Sequence, residues 1–166
     1  KRNITAASPA TREMAYQSLV RPTLEYSATV WSPQQQELTR ALEMVQRRAA
    51  RYVLRSYGNQ ASVTDMLQTL KWDSLEQRRL KARAVMTYRI VHKQVRIPSD
   101  QFIPSTDTTR GHSSKFRQIA ARTNYYKATF FPSAIPLWNS LPQTIVSSAT
   151  LDNFKDKIKD IQLETK

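Results

Sequence analysis

Two stretches decide the fold: Met14-Ala-Tyr-Gln-Ser-Leu-Val-Arg-Pro-Thr-Leu-Glu-Tyr-Ser-Ala-Thr-Val-Trp31, and Leu42-Glu-Met-Val-Gln-Arg-Arg-Ala-Ala-Arg51. In the first, Tyr16, Leu19, Val20, Thr23, Leu24, Ser27, Val30 and Trp31 recur close to the 3.6-residue period of an amphipathic helix. Ser8-Pro9 supplies its start, an N-cap followed by Pro at the first helical position, and Glu13 lies near the positive end of the dipole. Pro22 lacks an N–H and crowds the Ser18 carbonyl, so a kink or a break into two helices is expected there. Ser32-Pro33 repeats the start pattern, and the second helix is expected over about 34–57. One face of it carries Leu38, Leu42, Val45, Ala49, Tyr52 and Val53, while Arg40, Arg47, Arg48, Arg51 and Arg55 crowd the other. Gly58 is the expected left-handed C-cap.

Working outward, Ser62 caps a short helix with Val63, Met66, Leu67 and Leu70 as its apolar set. Asp73 or Ser74 caps a long helix over about 75–95. Leu80, Ala84, Thr87, Tyr88, Val91 and Val95 form its main stripe, and Met86 and Ile90 a second. A helix apolar on two sides is expected at the centre of a bundle, with Arg78, Arg79, Lys81, Arg83, Arg89 and Lys93 filling the remaining positions. Residues 96–114 are polar, irregular and interrupted by Pro98 and Pro104, the texture of a linker or exposed loop. Partial alternation over Lys115-Phe-Arg-Gln-Ile-Ala-Ala-Arg-Thr-Asn124 suits a short strand or hairpin. A turn of helix around Ile135-Pro-Leu-Trp-Asn-Ser-Leu141 follows, then a last helix capped by Thr150 on Leu151, Phe154, Ile158 and Ile161. In that last helix Lys155, Lys157 and Lys159 are matched by Asp152, Asp156 and Asp160, so it is expected to dock onto protein rather than nucleic acid.

The fold class is therefore mainly α: a small bundle of about five helices, followed by an irregular C-terminal extension with room for a short β-hairpin. The expected division is 1–95 as a helical bundle, 96–114 as linker or exposed loop, and 115–166 as the extension with its terminal helix.

Composition bounds the partners. The 166 residues hold 26 Lys+Arg against 13 Asp+Glu, a formal net charge of +13. A one-signed excess of that size favours a polyanion, through counterion release and electrostatic steering. No Cys is present, which excludes disulfides, thiol nucleophiles and cysteine-based zinc sites. With His92 and His112 as the only histidines, a metal centre is not expected, nor any other cofactor. No apolar run approaches the ~20 residues that span a bilayer. Lys1-Arg-Asn-Ile-Thr5 has no signal-peptide core behind it and reads as if cut from a longer chain, so an intracellular location, cytoplasmic or nuclear, is expected.

Catalysis finds no constellation. Asp65, Asp73, Asp100 and Asp107 are scattered among loops and caps, without the converging carboxylates that hold two magnesium ions. His112 stands beside Arg110 and several Ser, but no nucleophile elbow or oxyanion-hole loop accompanies it. Nucleic-acid contact has better candidates. Arg47, Arg48, Arg51 and Arg55, with Arg40 two turns further back, share a helical surface that either follows a phosphate backbone or is a solvated basic face. From Arg110 to Lys127 the basic residues Arg110, Lys115, Arg117, Arg122 and Lys127 occur with no acid among them. Phe116, Tyr125 and Tyr126 are interleaved, so the segment either stacks bases while holding phosphates or builds a small local core. Trp31, Trp72 and Trp138 each border or enter an apolar stretch and are expected as core anchors.

The two opening stretches resemble the region just after the catalytic core of non-LTR (LINE-like) retrotransposon reverse transcriptases. That family carries there a leucine-arginine-proline-x-leucine-glutamate-tyrosine run, a tryptophan, and a helix with a glutamine-arginine-arginine core. Thr64-Asp-Met-Leu-Gln-Thr-Leu-Lys-Trp-Asp-Ser-Leu-Glu-Gln-Arg-Arg79 looks like the family's leucine-x-tryptophan-x-serine-leucine-glutamate-x-arginine-arginine block, and Tyr88-Arg-Ile-Val-His92 like its tyrosine-lysine-isoleucine block. Thr109-Arg-Gly-His112, Phe130-Phe-Pro-Ser-Ala-Ile-Pro-Leu-Trp-Asn-Ser-Leu-Pro142 and Leu151-Asp-Asn-Phe-Lys155 are similar to later blocks, in the same order. The resemblance implies the end of the thumb and the C-terminal extension: helical, non-catalytic, gripping template RNA or RNA–DNA hybrid through its backbone, with the polymerase core upstream as a further partner. The family's active site lies outside these residues, and the cysteine-histidine knuckle that some members carry after the polymerase is missing. A protein-interaction module whose charge only confers solubility, or a decayed element copy, are the alternative expectations.

Overall fold

A computed structural model describes residues 6–33, 35–58, 61–106 and 112–163. The protein is mainly helical, with no sheet among the described residues. It divides into two compact units, one of residues 1–27 and 33–76, the other of 28–32 and 77–166. The division thus runs through the start of the long helix and not through 96–114.

The first unit begins with α1 (Pro9–Ala15), where Ser8 accepts a hydrogen bond from the Thr11 N–H and Pro9 takes the first helical position, as the sequence predicts. The expected break at Pro22 is replaced by a π turn over Tyr16–Val20, followed by α2 (Arg21–Glu25). The Arg21 N–H reaches back to the Tyr16 carbonyl, five residues away. This widened turn accommodates a proline whose missing donor could not have satisfied a regular ladder. It also shifts the register, and the helical run ends at Glu25. The predicted apolar stripe consequently fails beyond Tyr16: Leu19 is 73% exposed, and Val20, Val30 and Trp31 are also exposed.

The second helix, α3 (Gln36–Leu54), starts later than Ser32-Pro33 suggests, and its N-cap, Gln35, makes no side-chain capping bond. Its buried line is Gln46, Ala50 and Val53, while Leu38 is exposed. A glutamine occupies the inner face because both ends of its amide are satisfied. Its oxygen accepts from the Tyr16 hydroxyl at 3.1 Å, and its nitrogen donates to the Asp73 carbonyl at 2.9 Å. Around this bridge, Tyr16 stacks on Trp72 at 4.7 Å, and the Trp72 indole N–H donates to Glu13 at 2.9 Å. Ser62 caps α4 (Val63–Thr69), which buries Val63 and Met66.

Gly58 does not cap α3. Arg55 does, in the left-handed conformation with φ 52°, and the Ser56 N–H bonds to the Arg51 carbonyl at 3.1 Å. The same closure recurs at Lys71 (φ 53°), with Trp72 N–H to Leu67 carbonyl at 2.9 Å. It recurs again at Lys93 (φ 54°), with Gln94 N–H to Arg89 carbonyl at 2.8 Å. These are Schellman closures on basic residues, whose charge complements the negative helix ends that glycine would leave bare.

The second unit is organised on α5 (Leu75–Val91), whose first two residues belong to the other unit. Leu80, Ala84 and Tyr88 pack with Leu137, Trp138, Leu141, Ile145, Val146, Phe154, Ile158 and Leu163. Ile90 faces a second cluster with Phe102 and Ile135, so the two predicted stripes are both used. The other contributors are α6 (Asn124–Lys127), α7 (Phe130–Ser140), α8 (Gln143–Val146) and α9 (Leu151–Lys159), the last capped by Thr150. Two side-chain amides clamp irregular backbone onto helices. Gln77 exchanges bonds of 2.7 and 2.9 Å with Leu163, and Asn139 exchanges bonds of 2.9 and 2.7 Å with Phe116.

Two expectations for the extension change. No strand or hairpin forms over 115–124; the pairing is a single bridge between Pro104 and Phe116. Asn139 takes both backbone groups of Phe116, which leaves the segment fixed by a side chain rather than by a partner strand. Residues 96–106 are irregular but not a free linker, since Phe102 is buried against Phe116 and Phe131 at 4.9 and 5.3 Å.

Candidate nucleic-acid interface

The α3 arginines meet on one surface. At 100° per residue, Arg40, Arg47, Arg48, Arg51 and Arg55 fall within an arc of about 100°, opposite the buried Gln46–Ala50–Val53 line. Arg40, Arg47, Arg48 and Arg55 are exposed and Arg51 is half-buried. Among the described residues, the side chains of Arg40, Arg47, Arg48 and Arg51 have no hydrogen-bond or ion-pair partner. The row from residue 40 to 55 extends about 22 Å along the helix, the rise of roughly six base pairs. Exposed Met44 lies inside the arc, one turn from both Arg40 and Arg48. Its place was readable from the four-residue spacing, although its apolar chemistry drew it out of the charge pattern. Glu37 is the acidic residue at the N-terminal end of the arc, in the first turn of α3.

The second set is only partly assembled. Lys115 is half-buried, Arg117, Arg122 and Lys127 are exposed, and Arg110 lies outside the described residues. The Lys115 carbonyl accepts from Ser105 N–H at 2.9 Å and the Arg117 N–H donates to Ile103 at 2.8 Å, so their backbone is pinned while the side chains are not. The aromatics between them part company. Phe116 joins the core beside Phe102 and Trp138, whereas Tyr125 and Tyr126 are exposed. The α3 row belongs to the first unit and residues 115–127 to the second.

Three further arginines are not available for phosphate. Arg12 is buried, with its guanidinium donating to the Tyr52 carbonyl at 2.6 Å. Arg79 and Arg83, expected among the polar positions of α5, are buried too. Arg79 lies over the Trp31 ring at 5.7 Å, and burial pushes the Arg83 guanidinium below its ordinary pKa. Long aliphatic stems let arginine enter an inner face that periodicity reserves for apolar residues.

Among the tryptophans, Trp138 is buried and Trp72 is stacked on Tyr16, whereas Trp31 is half-open under its arginine. His112 is a packing residue: it is buried, and its Nε2 bonds to the Trp138 carbonyl at 3.0 Å. Among the described residues no group of three His, Cys, Asp or Glu could hold a metal ion, and no helix is long and apolar enough to cross a membrane. No protein-family model, curated protein or solved structure matches this chain.

Proposed function

We propose that this chain is a non-catalytic C-terminal part of a non-LTR retrotransposon RNA-directed DNA polymerase, and that it holds template RNA or RNA–DNA hybrid by its phosphates. The observation that supports this most directly is the α3 row, four arginines without an acidic partner among the described residues, on the side of the helix turned away from the core. Phosphate contacts position a duplex without reading its sequence, which is the work of a polymerase thumb. Arginine suits that work, since its planar fork engages phosphate oxygens in pairs. The net charge of +13 adds long-range attraction for the same partner. The upstream polymerase core is the second partner in this reading.

The test is binding to an RNA–DNA duplex of arbitrary sequence across a salt series. Affinity should fall steeply as salt rises, because each neutralised phosphate releases counterions. The triple variant Arg47→Glu, Arg48→Glu, Arg51→Glu should lose binding and keep its helical circular-dichroism spectrum. No binding at low salt, or binding insensitive to salt, defeats the reading.

One observation favours a second reading, a helical module that docks onto protein. Met14, Leu19, Val20 and Tyr26 are exposed on the α1–α2 run, more apolar surface than a short helical run usually leaves to water. Under that reading the triple variant retains its partner, and nucleic acid is not bound.

A further inference from the structure

The second unit carries an aromatic side chain that its core does not use. Tyr125 is 91% exposed and Tyr126 44%, although Phe116, Phe130 and Phe131 of the same region pack against buried residues. The turn that presents Tyr125 is fixed on both sides. Thr123 Oγ1 accepts from the Tyr126 N–H at 3.3 Å, and Thr129 Oγ1 donates to the Tyr126 carbonyl at 2.7 Å. Immediately beyond it α7 begins at Phe130, and Ile135, Leu137 and Trp138 of that helix are buried. A ring held out from an anchored backbone is prepaid in conformational entropy, and this is what a binding platform requires.

The chemistry around the ring selects its partner. Arg122 and Lys127 flank it, both exposed and without a side-chain partner among the described residues. No Asp or Glu occurs from residue 108 to 151, so the local charge is of one sign. A polyanion fits that field, and an aromatic face between cations adds a site for a base. Bases inside a duplex have both faces covered by neighbours, so only an unpaired base can take it.

We propose that Tyr125 is a stacking platform for single-stranded nucleic acid, with Arg122 and Lys127 holding the phosphates on either side of the stacked base. The site belongs to the second unit and the α3 row to the first, and the two differ in ligand: unpaired nucleotides here, a duplex backbone there. It tolerates any base, because every base offers a π face.

The experiment uses the full chain and two probes, a single-stranded RNA carrying one 2-aminopurine and an RNA–DNA duplex of equal length. Tyr125→Ala should weaken single-strand binding about tenfold, the equivalent of one base–aromatic stack, and abolish the stacking quench of 2-aminopurine. Tyr125→Phe should keep both, and duplex affinity should be unchanged in either variant. The proposal is overturned if Tyr125→Ala binds single strands as the parent does, the outcome expected if the ring meets a protein instead. It is also overturned if the variant loses duplex and single-strand affinity equally. Loss of duplex binding in the α3 triple variant, with Tyr125-dependent quenching intact, would show the two surfaces acting separately.

Discussion

The hydroxyl of Tyr16 donates to the buried side-chain oxygen of Gln46 at 3.1 Å, joining α3 to a π turn 30 residues earlier in the chain. The other end of the same amide holds the Asp73 carbonyl. Removing one partner leaves a buried acceptor without a donor, which costs about 1–3 kcal/mol. Tyr16→Phe should therefore destabilise the first unit by that amount in urea unfolding. Tyr16→Phe combined with Gln46→Met should cost less than the two single changes added together, by about 0.5–3 kcal/mol. Strict additivity would mean that the bond contributes nothing.

Arg55 holds φ 52° at the end of α3, a conformation that a side chain enters only at a steric cost. Glycine adopts it freely, so Arg55→Gly should raise stability by about 0.5–1 kcal/mol, read as a higher urea midpoint. The same change removes an exposed cation from the row and should weaken duplex binding. Stability and binding moving in opposite directions would identify a residue kept for its charge. Gly58→Ala is the control. A methyl group there meets nothing within 4 Å, and no gain from relieved strain is expected.

How far the sequence could be read follows from what each pattern encodes. Local chemistry was legible: Ser8, Ser62 and Thr150 cap the helices that their hydroxyls announce. So was the double-sided α5, because Leu80–Ala84–Tyr88 and Ile90 fall on separate stripes. Periodicity misled where it assumes a uniform helix. One π turn before Pro22 left Leu19 and Val30 outside. It misled again where a polar side chain takes an inner position, as Gln46, Arg79 and Arg83 do, since no local pattern reveals what distant parts of the chain will cover. For the candidate site, the arginine row was readable because exposure is the default for charge on a helix. The parting of Phe116 from Tyr125 was not, because it rests on the Asn139 clamp and on Phe102, both distant in the chain.

Arg83 is 4% exposed, and its Nε has no hydrogen-bond partner among the described residues. Desolvation lowers its pKa, yet arginine stays charged in any ordinary buffer, so the cost is carried by the fold itself. Arg83→Met keeps most of the stem and removes the charge. It should be neutral or stabilising by about 1 kcal/mol, measured as the shift of the urea midpoint. A loss of more than about 2 kcal/mol would mean that the guanidinium is paired in solution.

Met44 offers a gain-of-function test of the arginine row. It is exposed within the arc, one turn from Arg40 and one from Arg48, so a cation there closes the gap in the row. Methionine and arginine have similar helix propensities, and stability should change by less than about 0.5 kcal/mol. If a phosphate backbone follows this face, Met44→Arg adds one contact. The slope of log affinity against log salt then steepens by about 0.7–0.9, and affinity at low salt rises. Converting Arg48 to Gln in the same background should cancel the change, because the count of contacts returns to its starting value. The measurement is fluorescence anisotropy of a labelled RNA–DNA duplex over a salt series. A slope unmoved by Met44→Arg and by Arg48→Gln would mean that the duplex lies on another surface, and that α3 is only a solvated basic helix.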